Sequence, residues 1–301
     1  MAEVSFENRT VIVTGAGNGL GKAYALDLGS RGAKVVVNDL GGAVDGSGSG
    51  NTPADEVVNE IVANGGEAVA NYDSVATKDG GESIVQTAID NFGTVDAVIN
   101  NAGILRDKSF ANMSEEELSL IIDVHLKGTF FVTQAAFKVM KENSYGRIVN
   151  VASPSGLFGN FGQSNYGAAK MGIVGLTNVL AIEGAKYNIK VNVIAPTAYT
   201  RMTEALLPED VGKLFSAELV TPMVSYLASE ACEPSHEIFG VAAGRFARIG
   251  IITHKGYVNT SASAEDIADN IEEIRNIEDG TYPLSNEDEL MIIQQAIQGN
   301  Q

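Results

Sequence analysis

The sequence predicts an α/β fold built on a doubly wound parallel sheet, and three observations carry that prediction. Short β-branched runs alternate with amphipathic, helix-like stretches along the 301 residues, an order that crossover connections turn into a parallel sheet covered on both faces. Several of these runs are apolar throughout instead of alternating, the mark of strands buried on both sides. The glycine-rich and polar segments follow the runs directly, where the carboxyl ends of parallel strands bind ligands.

The first run, Thr10 to Thr14 (TVIVT), leads into TGAGNGLG, Thr14 to Gly21. The spacing G-x-x-x-G-x-G, through Gly15, Gly19 and Gly21, is not a P-loop: Ala16 and Ala23 stand where that motif needs Gly and Ser or Thr. It supplies a tight turn, close backbone approach and a helix N-terminus facing a pyrophosphate, so the sheet is expected to be Rossmann-like. The second run, Lys34 to Asn38 (KVVVN), is followed by Asp39, twenty residues beyond Gly19. A carboxylate there accepts hydrogen bonds from adenosine ribose hydroxyls and repels a 2′-phosphate, which favours NAD over NADP.

The third run, Ala68 to Tyr72 (AVANY), leads to Asp73, which reads equally as a contact to the adenine edge or as an Asx turn. The fourth, Val95 to Asn100 (VDAVIN), ends in Asn100-Asn101-Ala102-Gly103, whose amides either tie loops together near the cofactor or touch it. Arg147 to Ala152 (RIVNVA), Lys190 to Ala195 (KVNVIA) and the weaker Glu237 to Ala242 (EIFGVA) complete about seven strands.

In SNYGAAK, Ser164 to Lys170, a tyrosine stands four residues before a lysine. On a helix this puts Tyr166 and Lys170 one turn apart on the same face. A nearby positive charge stabilises a phenolate, so the pair suits proton transfer, although many such pairs only snorkel into water.

The net charge of −18 argues against nucleic acid or an anionic membrane surface as partner. From Asn259 onward ten acids face Arg275 alone, so half of the net charge lies in the tail. A solvated helix face accounts for this, with a salt-adapted source or a partner-binding arm as alternatives. Cys232 is the single cysteine, which excludes an internal disulfide, fits a reducing compartment and reads as a buried inert thiol. Met1 to Thr10 has no apolar signal core, no run reaches membrane-spanning length, and Gly299-Asn300-Gln301 is not an S-K-L signal, so a cytoplasmic location is expected. The expected division is a Rossmann-like domain over 1–246 and an acidic extension over 247–301. Within the extension, Ile267, Ile271, Ile274 and Ile277 fall on one face of a helix predicted over Ala264 to Ile277. That face is expected to pack on the core or on a neighbouring subunit.

With NNAG, Ser153, Tyr166 and Lys170 in that order, the chain resembles the short-chain dehydrogenase/reductase family from Phe6 to about Gly244. The resemblance implies that Tyr166 transfers the substrate proton, that Lys170 lowers its pKa and binds the nicotinamide ribose, and that Ser153 positions the substrate oxygen. The thirteen-residue spacing from Ser153 to Tyr166 matches the family and selects Ser153 over Ser155, leaving Ser155 a turn or supporting hydroxyl. The implied contacts to NAD are Gly15, Gly19, Leu20, Gly21, Asp39, Asp73, Ser74, Asn101, Tyr166, Lys170 and Thr200; no metal ligands are implied. Family members commonly carry Asn where His125 stands, and His125 reads either as the holder of a relay water or as a polar helix residue.

NDLGG at Asn38 to Gly42, the insert DGSGSGNTPAD, ANYDSV, NNAGILRD, VHLKGTF, GNFGQSNY, LAIEGAKY and IAPTAYTRMTE narrow the likeness. They are similar to the (3R)-hydroxyacyl-CoA dehydrogenase branch, found as a unit of the peroxisomal multifunctional enzyme type 2 and as bacterial stand-alone proteins. This implies NAD-dependent oxidation of (3R)-3-hydroxyacyl-CoA to 3-oxoacyl-CoA, hydroxysteroids as a second substrate class, and a homodimer. A CoA substrate requires a basic cluster, for which Arg106, Lys108, Arg201, Arg245 and Arg248 are candidates, each also readable as a surface charge. A dinucleotide-binding sensor or scaffold is the reading of a different class, and Ser153, Tyr166 and Lys170 together argue against it.

Overall fold

The computed structural model describes residues 4–203 and 212–299. Met1 to Glu3, Glu204 of the IAPTAYTRMTE motif, and Asn300-Gln301 of the terminal tripeptide lie outside the described residues. The strands are β1 (Thr10–Thr14), β2 (Lys34–Asn38), β3 (Glu67–Asn71), β4 (Ala97–Asn100), β5 (Gly146–Val151), β6 (Ile189–Thr197), β7 (Ile238–Ala242) and β8 (Arg245–Ile249). They form one eight-stranded sheet in the order β3-β2-β1-β4-β5-β6-β7-β8. Pairing from β3 through to β7 is parallel.

About seven strands were expected, and β8 corrects that number. It follows β7 after Ala243 and Gly244 alone, whose φ of 49° and 75° suit the two-residue turn of a hairpin. Its sequence, RFARI, exposes Arg245 and Arg248, as edge strands commonly do.

The apolar runs are explained by two cores. Val11, Val13, Val35 and Val37 pack with Tyr24, Leu28, Val57 and Ile61 on one face, while Ile12 and Val36 pack with Ile84, Val132 and Met140 on the other. Every residue of β1 is therefore buried, and each large side chain removed from water contributes roughly 1.5–3 kcal/mol. The covering helices are α1 (Gly19–Ser30), α2 (Thr52–Ala63), α3 (Lys78–Phe92), α4 (Glu115–Ile121), α5 (Gly128–Asn143), α6 (Pro154–Phe158) and α7 (Ser164–Gly184). A π-helical segment, Ile122–Lys127, joins α4 to α5.

The chain divides into two compact units, Met1–Arg248 and Ile249–Gln301. In the second, the helix predicted over Ala264 to Ile277 is two short helices, Ala264–Asp269 and Ile271–Arg275. Asn270 causes the break: its φ is −107° and ψ 16°, and its side-chain amide donates to the Asp266 carbonyl at 2.8 Å. Ile267, Ile271 and Ile277 are exposed. A further helix, Asn286–Gly299, was not foreseen. No helix among the described residues is long and apolar enough to cross a membrane.

Candidate active site

The sheet order reverses at β1, whose neighbours are β2 and β4, and such a switch point opens a crevice at the carboxyl ends of the strands. A cleft lies there, lined by the glycine turn, by Asp39, and by the segments after β3, β4 and β6. Of the residues expected to contact a cofactor, Gly15, Gly19, Leu20, Asp39, Asp73, Ser74, Asn101 and Thr200 line it.

Backbone packing explains the glycines. Gly15 has φ +62°, and a Cβ there would sit 2.7 Å from Ala102 Cα. At Gly21 a Cβ would meet the Gly15 carbonyl oxygen at 2.1 Å. Gly21 is buried, and its lack of a Cβ lets α1 close against the turn. The first turn of α1 holds no acid, and Asn18 before it makes no side-chain capping bond. Its leading N–H groups are therefore open to an anion. A bare backbone cradle, an uncapped helix start and a carboxylate one strand away fit a dinucleotide.

Asp39 is fixed from both sides. Its Oδ2 accepts from Gly17 N and its Oδ1 from Gly41 N, each at 2.7 Å. Asp73 is also engaged: its Oδ2 accepts from Asn71 Nδ2 at 2.8 Å and Ser83 Oγ at 2.7 Å. Asn101 Nδ2 donates to the carbonyls of Thr14 and Gly15, both at 3.0 Å. The amide therefore ties β4 to the glycine turn while also lining the cleft.

Ser153 stands at the end of β5 and caps α6, its Oγ accepting from Ser155 N at 3.2 Å. Tyr166 and Lys170 share one face of α7. Lys170 Nζ lies 5.5 Å from the Tyr166 ring centroid and donates to the Val151 carbonyl at 2.6 Å. Burial pushes Tyr166 up to about 12, offset in part by a hydrogen bond with Ser153 and reinforced by the charge of Asp107. Burial pushes Lys170 down to about 7. Desolvation thus disfavours the charged form of each.

His125 lies in the π-helical segment and is buried. Its Nε2 is 2.8 Å from the Ile104 carbonyl and 3.1 Å from the Ile104 N–H, and its ring meets Tyr166 edge-on at 5.1 Å. Burial and the nearby Lys170 hold it well below its ordinary pKa, so it is neutral. Gly103 makes the room, since a Cβ there would be 2.4 Å from the imidazole Cε1. Among the described residues Nδ1 has no hydrogen-bond partner. The side chain thus braces the loop after β4 against α7.

Three polar residues that lie inside the quoted motifs, but carried no role there, shape the surroundings of Tyr166: Asn165 bonds its backbone, Asp107 acts on its phenol and Gln163 holds Asp107. Gln163 Nε2 donates to Asp107 Oδ2 at 2.8 Å. Buried Asn165 donates to the carbonyls of Arg106 and Glu117 at 3.0 and 3.1 Å, and its Oδ1 accepts from Tyr166 N at 2.7 Å. The glycine-rich insert also lines the cleft through Ala43, Val44 and Gly46, and its glycines were its only signal. The basic candidates are not gathered into one cluster by the fold. Arg201 lines the cleft, Arg106 and Lys108 follow β4, and Arg245 and Arg248 lie on the edge strand β8. Cys232 is a free buried thiol, pushed up to about 11 by burial.

The profile of the short chain dehydrogenase family matches residues 9–210. A Mycobacterium tuberculosis protein named as a short-chain type dehydrogenase/reductase is 51% identical over 272 residues, 90% of this chain and 95% of that protein. The Mus musculus peroxisomal multifunctional enzyme type 2 is 50% identical over 284 residues, 92% of this chain and 38% of that enzyme. The solved structure of a 7α-hydroxysteroid dehydrogenase, complexed with NADH and 7-oxo glycochenodeoxycholic acid, superposes with a TM-score of 0.73. It is 26% identical and covers 81% of this chain and 98% of that one.

Proposed function

The chain belongs to the short-chain dehydrogenase family, an oxidoreductase family acting on CH-OH groups, and from that premise we propose that it oxidises (3R)-3-hydroxyacyl-CoA to 3-oxoacyl-CoA with NAD. The observation that carries the chemistry is the grouping of Ser153, Tyr166 and Lys170 beside a cleft with a bare glycine cradle. The substrate class rests on the similarity to multifunctional enzyme type 2. The cofactor choice rests on Asp39, whose carboxylate is held by two backbone N–H groups at the end of β2 and would repel a 2′-phosphate.

A bound NAD would supply the hydride acceptor. Tyr166, once ionised to the phenolate, takes the hydroxyl proton, and Ser153 Oγ hydrogen-bonds to the oxygen as it becomes a carbonyl. Lys170 holds its amine toward the carboxyl end of β5 through Val151 and would bind the cofactor ribose from there. Reduction runs the same steps backwards, with the protonated phenol as donor.

A hydroxysteroid substrate is the second reading, favoured by Phe110, Phe158 and Phe161. These rings are 83%, 72% and 91% exposed, suit a flat apolar body as well as an acyl chain, and flank the segments that hold Tyr166. Turnover of a panel of 3-hydroxyacyl-CoA thioesters and steroid alcohols, each with NAD and NADP, tests the proposal. Faster steroid turnover would replace the substrate class, and preference for NADP would remove the cofactor assignment. A homodimer belongs to the same proposal, supported by the exposed apolar side chains Phe130 of α5 and Met171, Val179 and Ile182 of α7. So does packing of the acidic extension on the core or a neighbouring subunit. Sedimentation of the whole chain and of a truncation after Gly244 tests both.

A further inference from the structure

The insert between β2 and α2 crosses the cleft as a strap. Its neck closes where Gly50 N donates to the Leu40 carbonyl at 2.9 Å. Gly41 is obligatory there, because a Cβ would stand 1.7 Å from the Gly50 oxygen and φ is +74°. The tip is an inner turn, with Gly46 N bonded to the Ala43 carbonyl at 3.0 Å and Ala43 N to the Ser47 carbonyl at 2.8 Å. The Asp45 carboxylate folds back onto Ser47 N and Oγ at 2.9 and 2.6 Å, so an uncharged surface is turned to the cleft.

Two hydrogen bonds join the tip to the segment after β4. Leu105 N donates to the Val44 carbonyl at 2.9 Å, and Arg106 Nε donates to the Asp45 carbonyl at 2.9 Å. The connection continues to the catalytic helix, since the Arg106 carbonyl accepts from Asn165, whose Oδ1 holds Tyr166 N. Arg106 had been a candidate for a CoA phosphate, but its Nε is committed to the strap and its Nη1 lies 3.3 Å from Glu116.

We propose that Arg106 is a positioning residue for the dinucleotide, latching the insert across the cleft so that Ala43, Val44 and Gly46 hold the cofactor in place. The inference rests on the dinucleotide reading of the cleft. Release of the cofactor requires the strap to part from the opposite wall, and the hydrogen bond from Arg106 Nε to the Asp45 carbonyl resists that parting.

The test separates the latch from the charge. Arg106→Gln places an amide nitrogen at the same position along the side chain as Nε, keeping the bond while removing the charge; Arg106→Ala removes both. NADH release, followed by its fluorescence, is expected to quicken roughly three- to thirtyfold in Arg106→Ala and to stay near the parent rate in Arg106→Gln. Backbone hydrogen exchange over 42–50 is expected to slow when NADH binds the parent chain and to quicken in Arg106→Ala. Equal release rates in all three proteins, or quick release from Arg106→Gln as well, would overturn the latch. So would exchange over 42–50 indifferent to NADH, a readout that stands even where Arg106→Ala folds poorly. A parent chain that binds neither NADH nor NADPH would remove the cofactor reading itself, and the latch with it.

Discussion

The two ends of the sheet treat similar side chains in opposite ways. At the amino ends of the strands, Arg9 and Arg147 cover the Tyr145 ring at 3.9 and 4.5 Å. Arg9 pairs with Asp96 at 3.0 Å and Glu230 at 2.9 Å. Arg147 donates to the carbonyls of Ser229, Gly146 and Asn188 at 3.0, 2.8 and 3.0 Å. At the carboxyl ends, Lys170 is as buried as Arg147, each 3% exposed, and its amine donates to the Val151 carbonyl. The same burial serves two ends: at the amino end it locks Arg147 onto three carbonyls that hold the fold, whereas at the carboxyl end it pushes the Lys170 amine down to about 7, where it can exchange a proton near neutral pH.

The sharpest break in the comparison is Tyr166→Phe. It removes the proton acceptor while leaving the cleft and α7 unchanged, so turnover should fall by roughly 10²- to 10⁴-fold with dinucleotide affinity retained. Steady-state kinetics beside a binding titration measures this, and near-normal turnover would end the assignment of Tyr166. At the other end of the sheet, Arg147→Ala leaves three carbonyls without their donor and should cost about 3–5 kcal/mol of stability. Denaturant unfolding reads that loss. The molecules that remain folded should keep the parent KM and kcat per active site, and altered constants would mean the two ends are not independent.

Lys170→Met inverts the usual expectation, because it should abolish turnover and stabilise the cofactor-free chain. Below pH 7 the folded protein holds a charged amine away from water, so the cost of Lys170 is present in full. Between about 7, its folded value, and its ordinary value near 10.5 the unfolded chain binds a proton that the folded chain does not, so parent stability climbs with pH. The gain from methionine should therefore be greatest near pH 6, about 2–4 kcal/mol after relaxation is allowed for, and should fade toward pH 10. Thermal unfolding across that range checks it; a gain independent of pH would mean that packing and not charge is responsible.

The sequence made the carboxyl end of the sheet legible and the amino end not. Gly15, Asp39, Ser153, Tyr166 and Lys170 announce themselves by spacing from strands whose apolar runs are unmistakable: Gly15 and Asp39 line the cleft, Ser153 follows β5, and Tyr166 and Lys170 share α7, with Lys170 bonded to Val151 of β5. Arg9, Asp96, Tyr145 and Glu230 meet only after the chain has folded, their positions up to 221 residues apart, and no local pattern encodes such a meeting. The ionisation of Tyr166 was only partly legible for a related reason. Helical spacing reveals the neighbouring amine, but the desolvation that raises the phenol pKa is a property of the packed site. The broken tail helix was missed because four isoleucines at helical spacing hid Asn270, whose side chain competes for a backbone carbonyl.

The finest distinction between the two ends concerns acids. Asp96 pairs directly with Arg9, whereas Asp107 is held by the neutral Gln163, so its charge is not cancelled before it reaches Tyr166. The groups acting on the phenol are Ser153, which lowers its pKa, and Asp107, which raises it. Lys170 and the neutral His125 stand beside the ring. Removing the charge with Asp107→Asn should therefore make Tyr166 easier to ionise and move the alkaline rise of kcat/KM for alcohol oxidation to lower pH. Asp107 is exposed to solvent, which screens it, so the displacement should be a few tenths of a pH unit, about 0.5 kcal/mol. Asp107→Glu, which keeps the charge, should leave the profile in place, and Gln163→Leu should preserve the direction of the effect while loosening its anchor. Profiles that superimpose for the parent and Asp107→Asn would show that solvent screens the carboxylate completely, and a displacement to higher pH would mean that Asp107 acts through the position of the Tyr166 helix and not through its charge.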